Sequence, residues 1–188
     1  MRLWIIAAVA VLSLQCTGKQ ITRQNIDRDN VIYWSESRRL TWDDFQGQPI
    51  PGGGSVVSEI SAQNPASIQK RNVFSKTALT AECFFDKRSS WVDRARATDE
   101  LLLYNQTIFD IYELYTRRLR QAYDTTSFGL KEPLKIFNEL FERNNAAMSL
   151  RLKEFRTESK LGSDVEKVRS WSEMIMSEIH ALERFKGE

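Results

Sequence analysis

The sequence predicts an α+β fold in which a small antiparallel sheet is followed by three long helices. Short runs that alternate apolar and polar residues fill much of positions 55–85, and stretches with helical spacing fill most of positions 98–182. The chain has 188 residues, of which 41% are hydrophobic and 28% charged. This length and composition are typical of one globular domain with a real core.

The sheet is predicted from three runs at residues 55–63, 66–74 and 77–85. Only residues 75–76 separate the last two runs, which indicates a hairpin. Cys83 falls at an inward position of the third run, where a small buried apolar residue is expected. Trp91 follows the sheet and is expected to pack the first helix against it.

The first helix is predicted over residues 98–122. Thr98 can accept a hydrogen bond from a free N–H group of the first turn, and apolar residues then fall on nearly every face of the helix. Such a helix is expected inside the domain. The basic run at residues 117–120 is interpreted as a solvated helix end and not as a phosphate-binding patch.

Two further helices follow. The second is predicted from Pro133 to about Phe155, because proline suits a first helical turn. Gly162 is expected to end it. The third is predicted to begin at a capping box formed by Ser163 and Glu166. It carries the only histidine of the chain, His180, on a face expected to be solvated.

The N-terminal residues 1–16 are predicted to be a signal peptide. An uncharged run over residues 3–14 is too short to span a bilayer, and Cys16 follows it directly. This arrangement resembles a bacterial lipoprotein signal, so we expect a lipid on Cys16; plain secretion is the alternative. Residues 17–30 are predicted to be a polar tether, and residues 31–188 a single domain.

The charge balance gives no support for nucleic-acid binding, because 27 basic residues against 25 acidic ones leave a net charge of only +2. The neighbouring carboxylates Asp43 and Asp44 are interpreted as surface groups. Adjacent side chains do not face each other, so they form no ready acid–base pair.

Four segments of the chain resemble the motifs of one protein family. Residues 101–113 read LLLYNQTIFDIYE, and residues 117–120 read RRLR. This frame is similar to the active-site helix, roughly L-L-x-H-E-Q-x-H-F-D-I-x-E-x-x-A-R-x-L-R, of bacterial secreted domains of unknown function regarded as zinc metallopeptidases. The segments LTWDDFQG at 40–47, SWV at 90–92 and FRTESKLG at 155–162 follow the same family in order. The resemblance implies a zincin-like fold.

The metal chemistry of that family is not retained. In an H-E-x-x-H helix, two histidines one turn apart bind zinc, and the glutamate between them is the general base. Tyr104 and Ile108 stand at the histidine positions, Asn105 at the glutamate position and Leu161 at the position of the third ligand. Asp110 is retained; in an intact site it would orient a metal ligand from outside the coordination sphere. In this chain it is expected to bond neighbouring core groups.

These observations predict no catalytic residue, no metal site and no cofactor. The expected function is a catalytically inactive, zincin-like envelope lipoprotein that binds or scaffolds a protein or peptide in the vacated cleft and contacts the membrane through Cys16. One alternative is an active secreted zinc protease with a rearranged site, for which Asp110, Glu113, Cys83 and His180 would be the available donors. Another is a purely structural envelope lipoprotein.

Overall fold

The computed structural model describes residues 26–49, 56–69, 77–126 and 132–187. In these residues short antiparallel strands precede three helices, so the α+β prediction is confirmed. The signal peptide, the lipidated Cys16 and the hairpin turn at residues 75–76 lie outside the described residues and stay predictions.

In the described residues, seven short strands form three separate antiparallel sheets. A three-stranded sheet has the order β1–β6–β3, while β2 pairs with β7 and β4 pairs with β5. The strands are β1 Val31–Tyr33, β2 Ser58–Glu59, β3 Ala62–Gln63, β4 Ala66–Gln69, β5 Ala78–Ala81, β6 Phe84–Asp86 and β7 Trp91–Val92.

The prediction of a single sheet with three strands is wrong, because two of the three predicted runs each contain two strands. The run 55–63 contains both β2 and β3, and the run 77–85 contains β5 and the start of β6. Each run divides because its two halves pair with different partners: β5 pairs with β4 as the hairpin prediction requires, whereas β6 pairs with β1 and β3.

The helices are α1 Asp99–Thr125, α2 Pro133–Glu158 and α3 Val165–Ala181. Thr98 caps α1 as predicted, because its side chain accepts a hydrogen bond from Leu101 N at 3.2 Å. The cap of α3 is Asp164, which accepts from Lys167 N, and not Ser163. No helix in the described parts of the chain has the length and apolar content needed to cross a membrane.

The end of α2 also differs from the prediction. Ser159 closes the helix by donating its N–H to Phe155 O, three residues before Gly162. The next three residues, 160–162, all have positive φ, with values of 48° and 57° at Lys160 and Leu161 and 93° at Gly162. This left-handed turn reverses the chain into α3.

Helix α1 lies at the centre of the core, as its apolar composition predicts. It packs against α2 and α3 on one side and against β3 and β5 on the other. One buried cluster joins the three helices, and a second joins α1 to the strands through Phe109, Phe85 and Phe45. The central helix therefore contacts both layers of the domain.

The last residues of the predicted polar tether contact the folded domain. Asn30 is buried, and its side-chain amide donates to Asp86 Oδ1 at 2.8 Å and accepts from Arg88 N at 3.1 Å. Asp27 also forms an ion pair with Arg88 at 3.0 Å. These contacts hold the start of β1 to the turn that follows β6.

Candidate functional site

The positions of the two family histidines lie inside the helical core. Tyr104 and Ile108 are 8% and 3% exposed. The Tyr104 ring stacks on Phe155 with ring centroids 5.1 Å apart, and a Cβ atom added at Gly162 would lie only 2.9 Å from Tyr104 Cγ. The cleft expected at Tyr104 is therefore replaced by a sealed core, because an aromatic ring and the backbone of the 160–162 turn occupy that space.

Asn105, at the position of the family's general base, has a structural role. Its side chain is buried, and Nδ2 donates to Ser58 Oγ at 2.9 Å and to Leu101 O at 2.8 Å. A carboxylate at this position could not donate either bond. The amide therefore joins α1 to β2 and cannot serve as a base, since it does not take up a proton.

Leu161, at the position of the third ligand, does not converge with the other two. Its side chain is 70% exposed, whereas Tyr104 and Ile108 belong to the buried helical cluster. The 160–162 turn approaches Tyr104 through Gly162 instead. The structure thus brings Tyr104, Asn105 and Ile108 together along α1 and leaves the Leu161 side chain in solvent.

The Tyr104 hydroxyl is held in its neutral form. Burial raises the pKa of Tyr104, and the nearby Arg156 guanidinium offsets only part of this effect. A neutral phenol is a weak metal ligand, because zinc prefers thiolate, imidazole or carboxylate donors.

Asp110 accepts hydrogen bonds from three side chains in the interior. Its carboxylate is fully buried and accepts from Trp34 Nε1 at 2.8 Å, from Gln106 Nε2 at 2.8 Å and from Arg39 Nη2 at 3.1 Å. Burial raises the pKa of Asp110, and the Arg39 charge opposes the rise. The expectation that Asp110 bonds neighbouring core groups is confirmed.

The basic run at the end of the predicted helix is not a solvated helix end. Arg117 is 1% exposed, and its guanidinium donates to Glu113 at 2.8 Å, to Ile179 O at 3.0 Å and to Glu183 at 2.9 Å. It also lies over the Trp34 ring, 5.2 Å from the centroid. The prediction failed because α1 continues to Thr125 and the 165–187 region covers this face.

Arg120 extends the same arrangement to the strands. Its guanidinium donates to Ala81 O at 2.6 Å and to Phe185 O at 3.0 Å, and lies 3.7 Å from Glu113. Burial raises the pKa of Glu113, and the positive charges of Arg117 and Arg120 oppose this rise.

Five inward polar residues of α1 lie along one line of the helix, and we call them the charged stripe: Gln106, Asp110, Glu113, Arg117 and Arg120. Their spacing of four, three, four and three residues is the sequence signal that could have located it.

Asp44 is a buried group and not the surface carboxylate predicted. It is 7% exposed, accepts a bidentate pair of hydrogen bonds from Arg38 at 2.6 and 3.0 Å, and accepts Thr41 N–H at 2.7 Å. Burial by itself would raise the pKa of Asp44, but the bonds from Arg38 and Thr41 outweigh it, and the pKa is lowered. Asp43 is exposed as predicted.

The donors of a rearranged metal site are dispersed. His180 is exposed on α3, as predicted, with Nε2 3.0 Å from Glu36 Oε1. Cys83 is buried, and burial raises the pKa of its thiol well above the usual range. Within the residues that the structure describes, no group of three or more His, Cys, Asp or Glu side chains is placed to hold a metal ion.

Comparison of the chain with protein-family models, with characterised proteins and with solved structures finds no match. The site is therefore interpreted from its own chemistry. Its buried groups can hold α1 in place through packing and paired charges, and Asn105, Ile108 and Leu161 offer neither a general base nor a metal ligand.

Proposed function

We propose that the chain is a catalytically inactive relative of the zincin-like metallopeptidases, carried at the bacterial envelope by a lipid on Cys16, where it serves as a scaffolding or binding module. The observation that carries the proposal is the packing of α1 at the three positions where a zinc peptidase helix would have its histidines and glutamate. Tyr104 and Ile108 are packed in the core, and Asn105 is committed to two structural hydrogen bonds.

The packing also bears on how such a module would bind its partner. The expected peptide-binding groove at Tyr104 is closed by Phe155 and by the backbone at Gly162. A protein or peptide partner would therefore contact outer surfaces of the domain. The helix that would hold zinc in a peptidase would act here as the internal support for those surfaces.

The proposal is tested by the metal content of the protein, purified after expression with zinc supplied and then dialysed. We expect elemental mass spectrometry to find no zinc above the level of a matched sample dialysed with chelator. Near-stoichiometric zinc would contradict the inactive reading and favour the rearranged protease.

A protease assay also distinguishes the inactive protein from an active protease with a rearranged site. Incubation with casein and with unfolded peptides is expected to give no cleavage. Cleavage that is lost in Asp110→Asn but kept in Asp43→Asn, a matched change of an exposed carboxylate, would identify a working site near the charged stripe.

A further inference from the structure

A shallow hollow of about 490 Å³ lies on the outer side of α2, next to the left-handed turn. Its lining residues fall on one flank of the helix and on the turn: Ser149, Lys153, Arg156, Thr157, Lys160 and Leu161. Three cations and two hydroxyl groups thus face one small volume. Ammonium, guanidinium and hydroxyl donors are the groups with which proteins bind phosphate oxygens.

The acidic residues of this stretch of α2 lie on its other flank, towards α3. Glu158 accepts a hydrogen bond from Trp171 Nε1 at 2.9 Å, and Glu154 faces Arg151. Lys160 lies 3.6 Å from Asp164, but no carboxylate in the described residues pairs with Lys153 or Arg156. Lys153 and Arg156 lie three residues apart on α2, where like charges repel, so these two cations carry positive charge that no carboxylate of the described residues neutralises.

Two exposed leucines lie beside these cations. Leu150 is 58% exposed and Leu161 is 70% exposed. Leu150 lies one helical turn before Lys153 on α2, and Leu161 itself lines the hollow. Leu161 also has a left-handed backbone that disfavours leucine, and yet its side chain is held in water. The surface therefore combines cations with apolar side chains, as contacts with a lipid interface do.

We propose that this basic hollow binds the phosphate group of an anionic phospholipid, with Leu150 and Leu161 against the adjoining hydrocarbon. Lys153, Arg156 and Lys160 supply the charge that an anionic headgroup complements. A free phosphate ion would use the same cations but would not need the leucines. The inference goes beyond the proposed function and does not depend on the lipid at Cys16, because it concerns a contact made by the folded domain.

The test uses the whole purified protein in neutral maltoside micelles and counts bound lipid by native mass spectrometry. The probes are phosphatidylglycerol, phosphatidylcholine and inorganic phosphate. We expect phosphatidylglycerol to bind about 25-fold more tightly than phosphatidylcholine, since each of the two cations without a carboxylate partner strengthens binding to an anionic lipid by roughly fivefold.

The first variant removes two of the cations. Lys153→Gln with Arg156→Gln is expected to weaken phosphatidylglycerol binding by about 25-fold, that is, about fivefold for each cation. The matched control is Lys135→Gln with Arg143→Gln, which removes the same charge from the N-terminal half of α2 and is expected to leave binding unchanged. An equal loss in the control would overturn the proposal, because it would show attraction to net charge alone.

The second variant separates a lipid site from a site for free phosphate. Leu161→Gly removes an exposed leucine and relieves its positive φ, so we expect the Tm to rise while lipid binding weakens several-fold. Binding of inorganic phosphate is expected to be weak and unaffected. Inorganic phosphate binding as tight as phosphatidylglycerol, or no difference between the two lipids, would overturn the assignment to an anionic lipid.

Discussion

Two faces of α1 are buried to the same degree but are stabilised by different interactions. The face that carries Tyr104 and Ile108 is filled by aromatic and aliphatic packing against Phe155. The charged stripe on another face is filled by charged groups, each of which has a partner: Asp110 with Arg39, and Glu113 with Arg117.

The difference shows which kinds of buried group a protein core can hold without a metal. Unliganded histidines and a glutamate at positions 104, 105 and 108 would be buried polar groups without partners, which cost free energy. The groups present avoid that cost by packing or by forming hydrogen bonds. The members of the charged stripe have hydrogen-bond or ion-pair partners within the stripe and on neighbouring elements, and loss of one member exposes the desolvation cost of the groups that it pairs with.

The largest effect is expected from breaking the charged stripe. Arg117→Ala should lower the free energy of unfolding by about 3–5 kcal/mol, because Glu113 would be left buried without its main cation. Urea denaturation measures the change. The matched control is Arg118→Ala, whose guanidinium is 39% exposed and pairs with Glu178. That change should cost less than about 1 kcal/mol. Equal losses in the two variants would remove the distinction between a buried and a surface pair.

The packed face should respond to volume and not to polarity. Ile108→Ala should lower the free energy of unfolding by about 3 kcal/mol, because it leaves a cavity in the buried cluster that joins the three helices. Tyr104→Phe keeps the ring on Phe155 and should change stability by less than about 1 kcal/mol. If Tyr104→Phe lowered the free energy of unfolding as much as Ile108→Ala, the hydroxyl group and not the packing would stabilise this face. Thermal and urea unfolding of both variants decide this.

The smallest expected effect is a difference between the two faces of α1 in how protein stability depends on pH. Burial raises the pKa of Asp110, so the folded protein holds a proton on Asp110 at pH values where the unfolded chain has released it. The contribution of Asp110 to stability therefore falls as pH rises through that window. Asp110→Asn does not titrate, so its stability deficit relative to the natural protein should narrow as pH rises from about 4, the ordinary pKa of an aspartate, towards neutrality. A deficit that widens would mean that Arg39 outweighs burial.

Asp44 supplies the control of opposite sign. Its pKa is lowered by Arg38 and Thr41, so its contribution is present above the unfolded-state pKa and is lost as pH falls through the folded-state value. The deficit of Asp44→Asn should therefore widen as pH rises from the folded-state value through the ordinary aspartate pKa of about 4, and should be nearly constant above it. Ile108→Ala should show a deficit independent of pH, since no titrating group is changed.

Local signals in the chain were sufficient to locate the helices. The cap at Thr98 and the proline at position 133 each act within one turn, so the starts of α1 and α2 follow from neighbouring residues. The packing of α1 in the centre also follows, because apolar residues on nearly every face of a helix must be covered. The end of α2 was misplaced at Gly162 because the left-handed turn begins two residues earlier, at Lys160, where the sequence carries no glycine.

Long-range contacts decided the parts of the candidate site that the sequence left open. The partners of Asp110 lie 71 and 76 positions away, at Arg39 and Trp34, and a partner of Arg117 lies 66 positions away, at Glu183. No local pattern specifies such pairs. For that reason Arg117, which lies in a basic run predicted to be solvated, proved to be buried.

The sequence by itself determined the α+β class, the starts of α1 and α2 and the central place of α1, because these depend on residue type and on spacing along one element. Only the tertiary structure decided that the cleft at Tyr104 is sealed, that Leu161 faces solvent beside a basic hollow, and that Arg117 and Asp44 are buried in ion pairs. Those outcomes depend on contacts between residues far apart in the sequence, because such contacts determine which side chains are buried and which charges are paired.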